Sequence, residues 1–363
     1  MASRTISRRG ARALTTTAMA CVLAASAAGA AHAVNRVAWV WGNDPSATSA
    51  YTPDGDYSYD STGGAAKIKP IGTGKYEVTF TRIDSGYTDN VQVSAYDTNG
   101  YCISAGWYQA ATTVEAYVYC YDANGNAANS YFTLLYQSRS APLGASGRGI
   151  AFLWANGLST ASYTPDTRYN YNSTGVSNTI TRSSTGVYTV NIPGLSYEAD
   201  VQVTAYGSAP ARCKVIDWGT SGSGVDVNVA CFNSSGNPAD EYFNLAYTAR
   251  EAPALTAGTD TLGAYAWTNE PTNTSGYKPY PVYQYNAMRT GPLTSVETST
   301  GVYEVQIPGS YGLSSDNMQV TAYGDNSDYC NSGGWGSNEM YVLCYKQGGT
   351  LANDDFDVIF ETW

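Results

Sequence analysis

The stretch VQVSAY at Val91–Tyr96 decides how this chain is read, because it returns as VQVTAY at Val201–Tyr206 and as MQVTAY at Met318–Tyr323. Apolar and polar residues alternate along it and an aromatic closes it, which is the pattern of a β-strand. One strand spelled three times implies one domain spelled three times.

Other landmarks keep the same register. Trp41, Trp154 and Trp267 stand 113 residues apart, in AWVWG, AFLWA and AYAWT. A Tyr-x-Pro turn follows each (Tyr51/Pro53, Tyr163/Pro165, Tyr277/Pro279), then a Tyr-x-Tyr pair in YSYDS, YNYNS and YQYNA. TGKYEVTF, TGVYTVNI and TGVYEVQI mark a glycine turn into a strand. After the repeated VQV strand comes Cys-x4-Trp: Cys102/Trp107, Cys213/Trp218 and Cys330/Trp335. A second cysteine follows at 120, 231 or 344, and a phenylalanine lies 12 residues beyond it at 132, 243 or 356.

Within each copy the period is two. Val114, Ala116, Val118 and Cys120 share one face, as do Val225, Val227, Val229 and Cys231, and Met340, Val342 and Cys344. The closing strands alternate likewise at Phe132/Leu134/Tyr136, Phe243/Leu245/Tyr247 and Phe356/Val358/Phe360. Asn124-Gly125, Ser235-Gly236 and Gly348-Gly349 read as hairpin turns. Roughly seven short strands per ~100 residues predict an all-β fold of three tandem β-sandwich modules, immunoglobulin-like in architecture. The modules are placed at 34–139, 149–250 and 262–363, with Pro- and Gly-containing linkers at 140–148 and 251–261.

Each module carries two cysteines, and the second always falls on the inward face. The repeat therefore selects Cys102–Cys120, Cys213–Cys231 and Cys330–Cys344 as bridges. Their separations of 18, 18 and 14 residues are too short to span a sandwich as an immunoglobulin bridge does. The Gly-Val-Tyr strand, VQVTAYG, Cys-x4-Trp and the Cys–Gly–Phe tail together resemble a repeat of secreted bacterial proteins of unassigned function. That resemblance implies secretion and a β fold, and it brings no catalytic residues.

The first 33 residues read as a secretory leader: MASRTISRRGARA with four arginines and no acid, the Ala-rich run MACVLAASAAGA, then AHA ending at Ala33. Ser7-Arg8-Arg9 hints at twin-arginine export, although Gly10 and Ala11 fit general secretion better. Without the leader the chain holds 15 Lys+Arg against 30 Asp+Glu, a net charge near −15. Such a chain repels nucleic-acid phosphates and anionic membranes. No apolar run reaches the ~18 residues of a membrane span.

The leader also takes away the sole histidine, His32, and the odd cysteine, Cys21. A Ser-His-Asp triad, a Cys-His dyad and an imidazole metal site are excluded beyond it. With six cysteines bridged, no thiolate nucleophile remains. Carboxylate-based glycan hydrolysis stays open. The acids and amides at repeated positions, Asp89-Asn90, Asp200, Asp316-Asn317 and then Asn129, Asp240 and Asn353, read instead as turn formers. Asp54, Asp56 and Asp60 offer oxygens for calcium, but the second copy places Arg168 among its equivalents, so a solvated acidic turn is expected and no cofactor or metal.

Tyr117, Tyr119 and Tyr121 lie opposite the inward valines of their strand, and Tyr341 and Tyr345 hold the matching places in the third copy. A tyrosine face offers rigid amphipathic contact area, or else a cross-strand ladder. Trp107, Trp218 and Trp335, identically placed, read as structural aromatics. The sequence thus predicts a secreted, monomeric, non-catalytic protein that presents an acidic tyrosine-rich surface. Its partner would be a polysaccharide, a cell-envelope component or an extracellular protein. The alternatives are a carboxylate glycan hydrolase and a structural or inhibitory extracellular protein.

Overall fold

The computed structural model describes residues 36–83, 88–139, 149–249, 262–288, 290–311, 315–336 and 338–362. The expected leader and both linkers lie outside the described residues. Each repeat folds as a β-sandwich with one internal disulfide: Cys102–Cys120, Cys213–Cys231 and Cys330–Cys344. Among the described residues no helix is long and apolar enough to cross a membrane.

The alternation read from sequence builds three cores. In the first repeat, Ile68, Val78, Val93, Val118 and Leu134 meet between two layers of strands. One layer holds Arg36–Gly42, Ser58–Asp60, Thr88–Tyr96 and Tyr131–Arg139. The other holds Ala66–Gly72, Lys75–Thr81, Tyr101–Gln109 and Thr113–Tyr121. Equivalent cores form around Val190, Val203, Val229 and Leu245, and around Val305, Val320, Val342 and Val358. The paired cysteines sit directly opposite one another on neighbouring strands, which is why separations of 14 to 18 residues suffice.

The three repeats belong to one unit, because their sheets are shared. The first layer of repeat one continues into the second layer of repeat three, where Thr88–Tyr96 runs parallel to Tyr329–Gly336. Repeat two joins repeat one in the same way through Tyr206 and Ser104, and repeat three joins repeat two through Tyr323 and Val215. The amides of Asp97, Gly207 and Gly324 each donate across such a junction at 2.8–2.9 Å, to the carbonyls of Ser332, Ser104 and Val215. Among the described residues three sheets of eight or nine strands thus close in a cycle with approximate threefold symmetry.

The thrice-written strand is the device that closes it. Its valines enter the core of its own repeat, and its polar residues reach the next. The Thr204 hydroxyl donates to Gln92 Oε1 at 2.9 Å and accepts from the Val93 amide at 3.0 Å. Thr321 does the same to Gln202 and Val203, and Ser94 to Gln319 and Val320. Repeat two holds one, three holds two, and one holds three. All six side chains are buried, so each bond is strengthened by its low-dielectric surroundings and expensive to lose.

Several residues expected in turns have other places. Asp89, Asn90, Asp200 and Asn317 lie within strands and are fully buried: Asn90, Asp200 and Asn317 because the face that sequence alternation would leave to solvent is covered by the neighbouring repeat, and Asp89 because it shares the inward face of Val91 and Val93. Asn244 donates to the Val91 carbonyl and Thr133 to that of Met318, both across junctions. Asn129, Asp240 and Asn353 do not bond their own backbone. They accept from the amides of Gly74, Gly186 and Gly301, clamping the Thr-Gly turn to the closing strand. Those glycines have φ of +66 to +69°, and a Cβ on any of them would strike backbone at under 3 Å. Asp54 caps a short helical turn through the Asp56 amide, and Asp60 binds Thr62. Among the described residues no group of three or more His, Cys, Asp or Glu is arranged to hold a metal ion.

Candidate functional site

The tryptophans of the Cys-x4-Trp motif cross into the next repeat and complete an aromatic cluster there. At the junction of repeats one and three, Trp41 packs against Tyr57 and Tyr96, both with ring centroids at 5.1 Å. Trp335 joins from repeat three at 5.6 Å from Tyr57 and 5.5 Å from Tyr96. At the junction of one and two, Trp154 meets Tyr206 at 4.9 Å and Tyr169 at 5.3 Å, and Trp107 approaches the same two tyrosines. At the third junction Trp267 meets Tyr323 at 5.0 Å and Tyr283 at 5.1 Å, with Trp218 beside them.

Local sequence explains how each ring arrives. The opening strand carries Trp41, Trp154 or Trp267. The Tyr-x-Pro segment leads into a short 3-10 turn that presents Tyr57, Tyr169 or Tyr283, capped by Asp54 or Asp166, or entered through Pro281. The repeated strand ends on Tyr96, Tyr206 or Tyr323. The crossing tryptophan follows a β-bulge, placed between Ser104 and Gly106, Val215 and Asp217, or Ser332 and Gly334; a bulge re-aims the side chains beyond it. Gly106 and Gly334 adopt φ of +135° and +138°, and a Cβ on either would stand 3.4 Å from the hydroxyl of Tyr206 or Tyr96. Sequence reading located these tryptophans but missed their destination, since no spacing within one repeat reports a contact with the next.

The clusters are half-exposed, and they carry polar atoms with nothing to bind. The indole N–H groups of Trp41, Trp335, Trp154 and Trp267 are buried and have no acceptor among the described residues. Two residues after Trp41 and Trp267, just past the ends of their strands, Asn43 and Asn269 hold buried side-chain oxygens with no donor among the described residues. Buried polar atoms are nearly always paired, so a repeated exception calls for a partner. Trp218 differs: its N–H donates to the Tyr197 carbonyl at 2.9 Å. Burial holds Tyr96 and Tyr206 above the usual phenol range, so their hydroxyls remain neutral donors.

The rims differ between sites. Tyr131 and Tyr242 stand beside Trp41 and Trp154 at 6.2 and 6.3 Å, whereas the third junction has Asp355 at that position in the strand. Burial, with Asp354 adjacent, pushes Asp355 up to about 6. Behind the one–two junction Asp89 accepts from Gln109 and Tyr136, and burial raises it to about 6 against those bonds and the Trp107 indole.

The tyrosine face expected on 113–121 divides. Tyr117 and Tyr119 are half-exposed, with the Tyr117 hydroxyl donating to Glu115 and Lys75 lying 4.8 Å over the Tyr119 ring. Tyr341 is half-exposed as well. Tyr121 and Tyr345 are buried where the repeats meet, among Tyr101, Ile103 and Tyr329. The Tyr121 hydroxyl donates to the Ser208 carbonyl of repeat two. Those two positions serve the junction rather than a solvent face, again because the neighbouring repeat covers what would otherwise be an outer surface. Comparison with protein families, with curated protein sequences and with solved structures returned no match.

Proposed function

We propose that this is an exported, non-catalytic glycan-binding protein with three related sites, one at each junction between repeats. The observation that carries the reading is the repetition of a half-exposed aromatic cradle whose indole N–H has no partner among the described residues. A pyranose presents an apolar face and an equatorial rim of hydroxyls. The face suits the half-exposed tryptophan and tyrosine rings, and a hydroxyl of the rim would reach the buried indole donor and asparagine acceptor once the rings shift aside. Polymers of such units reward several sites on one rigid body, because a second contact made by a tethered chain adds ~10²–10⁴ in avidity. The half-exposed Tyr117, Tyr119 and Tyr341 supply adjoining contact surface.

Export is supported by the Arg-rich leader and by three disulfides, which persist in oxidising compartments. Binding rather than catalysis is supported by the missing histidine beyond residue 33 and by the engagement of all six later cysteines in bridges. The test is retention on insoluble polysaccharides and cell-envelope fractions. Retention that disappears in a Trp41→Ala, Trp154→Ala, Trp267→Ala variant of unchanged circular dichroism supports the reading. Retention of that variant at the wild-type level overturns it.

A further inference from the structure

The position before the first cysteine of each repeat faces the centre of the cycle, and it breaks the symmetry. Repeats one and three place Tyr101 and Tyr329 there; repeat two places Arg212. Its guanidinium carbon lies 5.0 Å from the Tyr101 ring and 4.5 Å from the Tyr329 ring, and the residue is 6% exposed. The rings partly offset the loss of water through cation–π attraction, but they cannot accept the in-plane N–H bonds. One of those bonds, from Nη2, goes to Gln347. Among the described residues Nε and Nη1 have no acceptor, and the buried Tyr101 hydroxyl has no partner either.

These three unsatisfied groups belong to residues lining a cavity of about 50 Å³ where all three repeats meet. The other cation in its wall is already neutralised: Lys214 Nζ binds Asp354 at 2.9 Å and Asn326 at 2.6 Å. Asp328 also lines the cavity and attracts Arg212, but it makes no hydrogen bond to the guanidinium among the described residues. The neighbouring tyrosine hydroxyls are occupied, that of Tyr121 by Ser208 and that of Tyr329 by Asn99. A buried guanidinium lacking a bonded counter-charge is unfavourable, and water would satisfy its hydrogen bonds without balancing its charge. A cavity of this size takes a small ion, since ~10–15 Å³ already holds a water molecule.

We propose that the Arg212 cavity is a binding site for one small monovalent anion of chloride size, held by Arg212 Nε and Nη1 and the Tyr101 hydroxyl. The ion sits where the three repeats converge, so its binding stabilises the closed cycle. Sugar recognition at the junctions does not enter this assignment.

The experiment compares melting of the folded protein in sodium chloride, sodium bromide and sodium gluconate at one ionic strength. Gluconate is too large for the cavity. The expected result is a saturable rise in melting temperature with either halide and none with gluconate, together with chlorine NMR line broadening that bromide relieves. Arg212→Gln should abolish both signals. Should that variant not fold, Tyr101→Phe removes a single donor and should weaken halide half-saturation roughly tenfold. Equal melting in halide and gluconate, with no chlorine broadening, would mean that only water fills the cavity and would overturn the assignment.

Discussion

Asp200 and Asp357 face each other, fully buried, across the junction of repeats two and three. The other junctions put neutral groups in these places: Asn90 with Asn244, and Asn317 with Thr133. Asn244 and Thr133 each donate to a carbonyl of the adjoining repeat, at 2.9 and 2.7 Å. Among the described residues neither carboxyl oxygen of Asp357 has a partner. A protonated Asp357 can donate as its counterparts do; an ionised one meets a second carboxylate.

Stability should therefore fall as pH rises. Burial lifts Asp200 to about 7 despite the amide bonds from Gln202, and it raises Asp357 well above the usual carboxylate range, with Asp200 and Asp355 adding repulsion. Groups whose folded pKa is raised contribute stability that is fully present below the unfolded value of ~4 and lost as pH climbs through the folded one. Asp89, Asp316 and Asp355, each lifted to about 6, act in the same direction. Melting temperature should be higher at pH 5 than at pH 8, and Asp357→Asn should raise stability at pH 8 by ~1–3 kcal/mol. A profile flat from pH 5 to 8, unchanged in that variant, would show that the pair does not titrate in this range.

Shared sheets govern what an isolated repeat can do. Residues 149–250 retain a complete core and their disulfide. Cut free, they expose the strands Ala199–Tyr206 and Ala211–Ser221, along with the buried groups that served both neighbours. An unpaired edge recruits another strand. Three copies of repeat two would bring three Arg212 and three Lys214 side chains to one centre. Three copies of repeat one would gather Tyr101 and Ile103 instead. Residues 34–139 should accordingly assemble as a homotrimer and residues 149–250 should not, as read by light scattering. A monomeric, well-folded 34–139 would show that the junctions contribute little to each repeat.

The sequence made the inward faces legible, because burial inside one repeat obeys the two-residue period: Val114, Ala116, Val118 and Cys120 are all within 1% of complete burial. The disulfides were legible for the same reason. What lay outside that period was the second burial. Gln92, Thr204 and Asp200 look like the solvent side of a strand, and only the return of the chain as a closed cycle covers them. The binding candidates followed suit: Tyr121 and Tyr345 went into the junction, and the half-exposed cradles arose from tryptophans that read as core packing.

Two variants separate the candidate surfaces. Trp154→Phe keeps an aromatic ring and deletes an N–H that has no acceptor among the described residues. It should leave melting unchanged within about 0.5 kcal/mol and weaken glycan retention, since a recognised hydroxyl loses its donor at a cost of ~0.5–1.5 kcal/mol. The pair Tyr117→Ser, Tyr119→Ser alters the strand surface away from the cradles. Retention lost in the tyrosine pair but kept in Trp154→Phe would move the site from the junction to the 113–121 strand.

The bond from Thr204 to repeat one tests the closing device itself. Its hydroxyl accepts from the Val93 amide at 3.0 Å and donates to Gln92 Oε1 at 2.9 Å, all three residues being buried. Thr204→Val preserves shape and removes the hydroxyl alone, which strands one buried backbone donor and one amide oxygen. Each unsatisfied group costs ~1–3 kcal/mol, so the variant should lose ~2–6 kcal/mol. Thr189→Val is the control: its hydroxyl bonds Asn228 on a partly exposed face within repeat two, and its removal should cost under ~1 kcal/mol. The loss in Thr204→Val should appear as one cooperative transition at lower denaturant, because each repeat is held by the next around the cycle. Two separated transitions, with repeat two melting apart from the others, would mean that the cycle does not unfold as a unit.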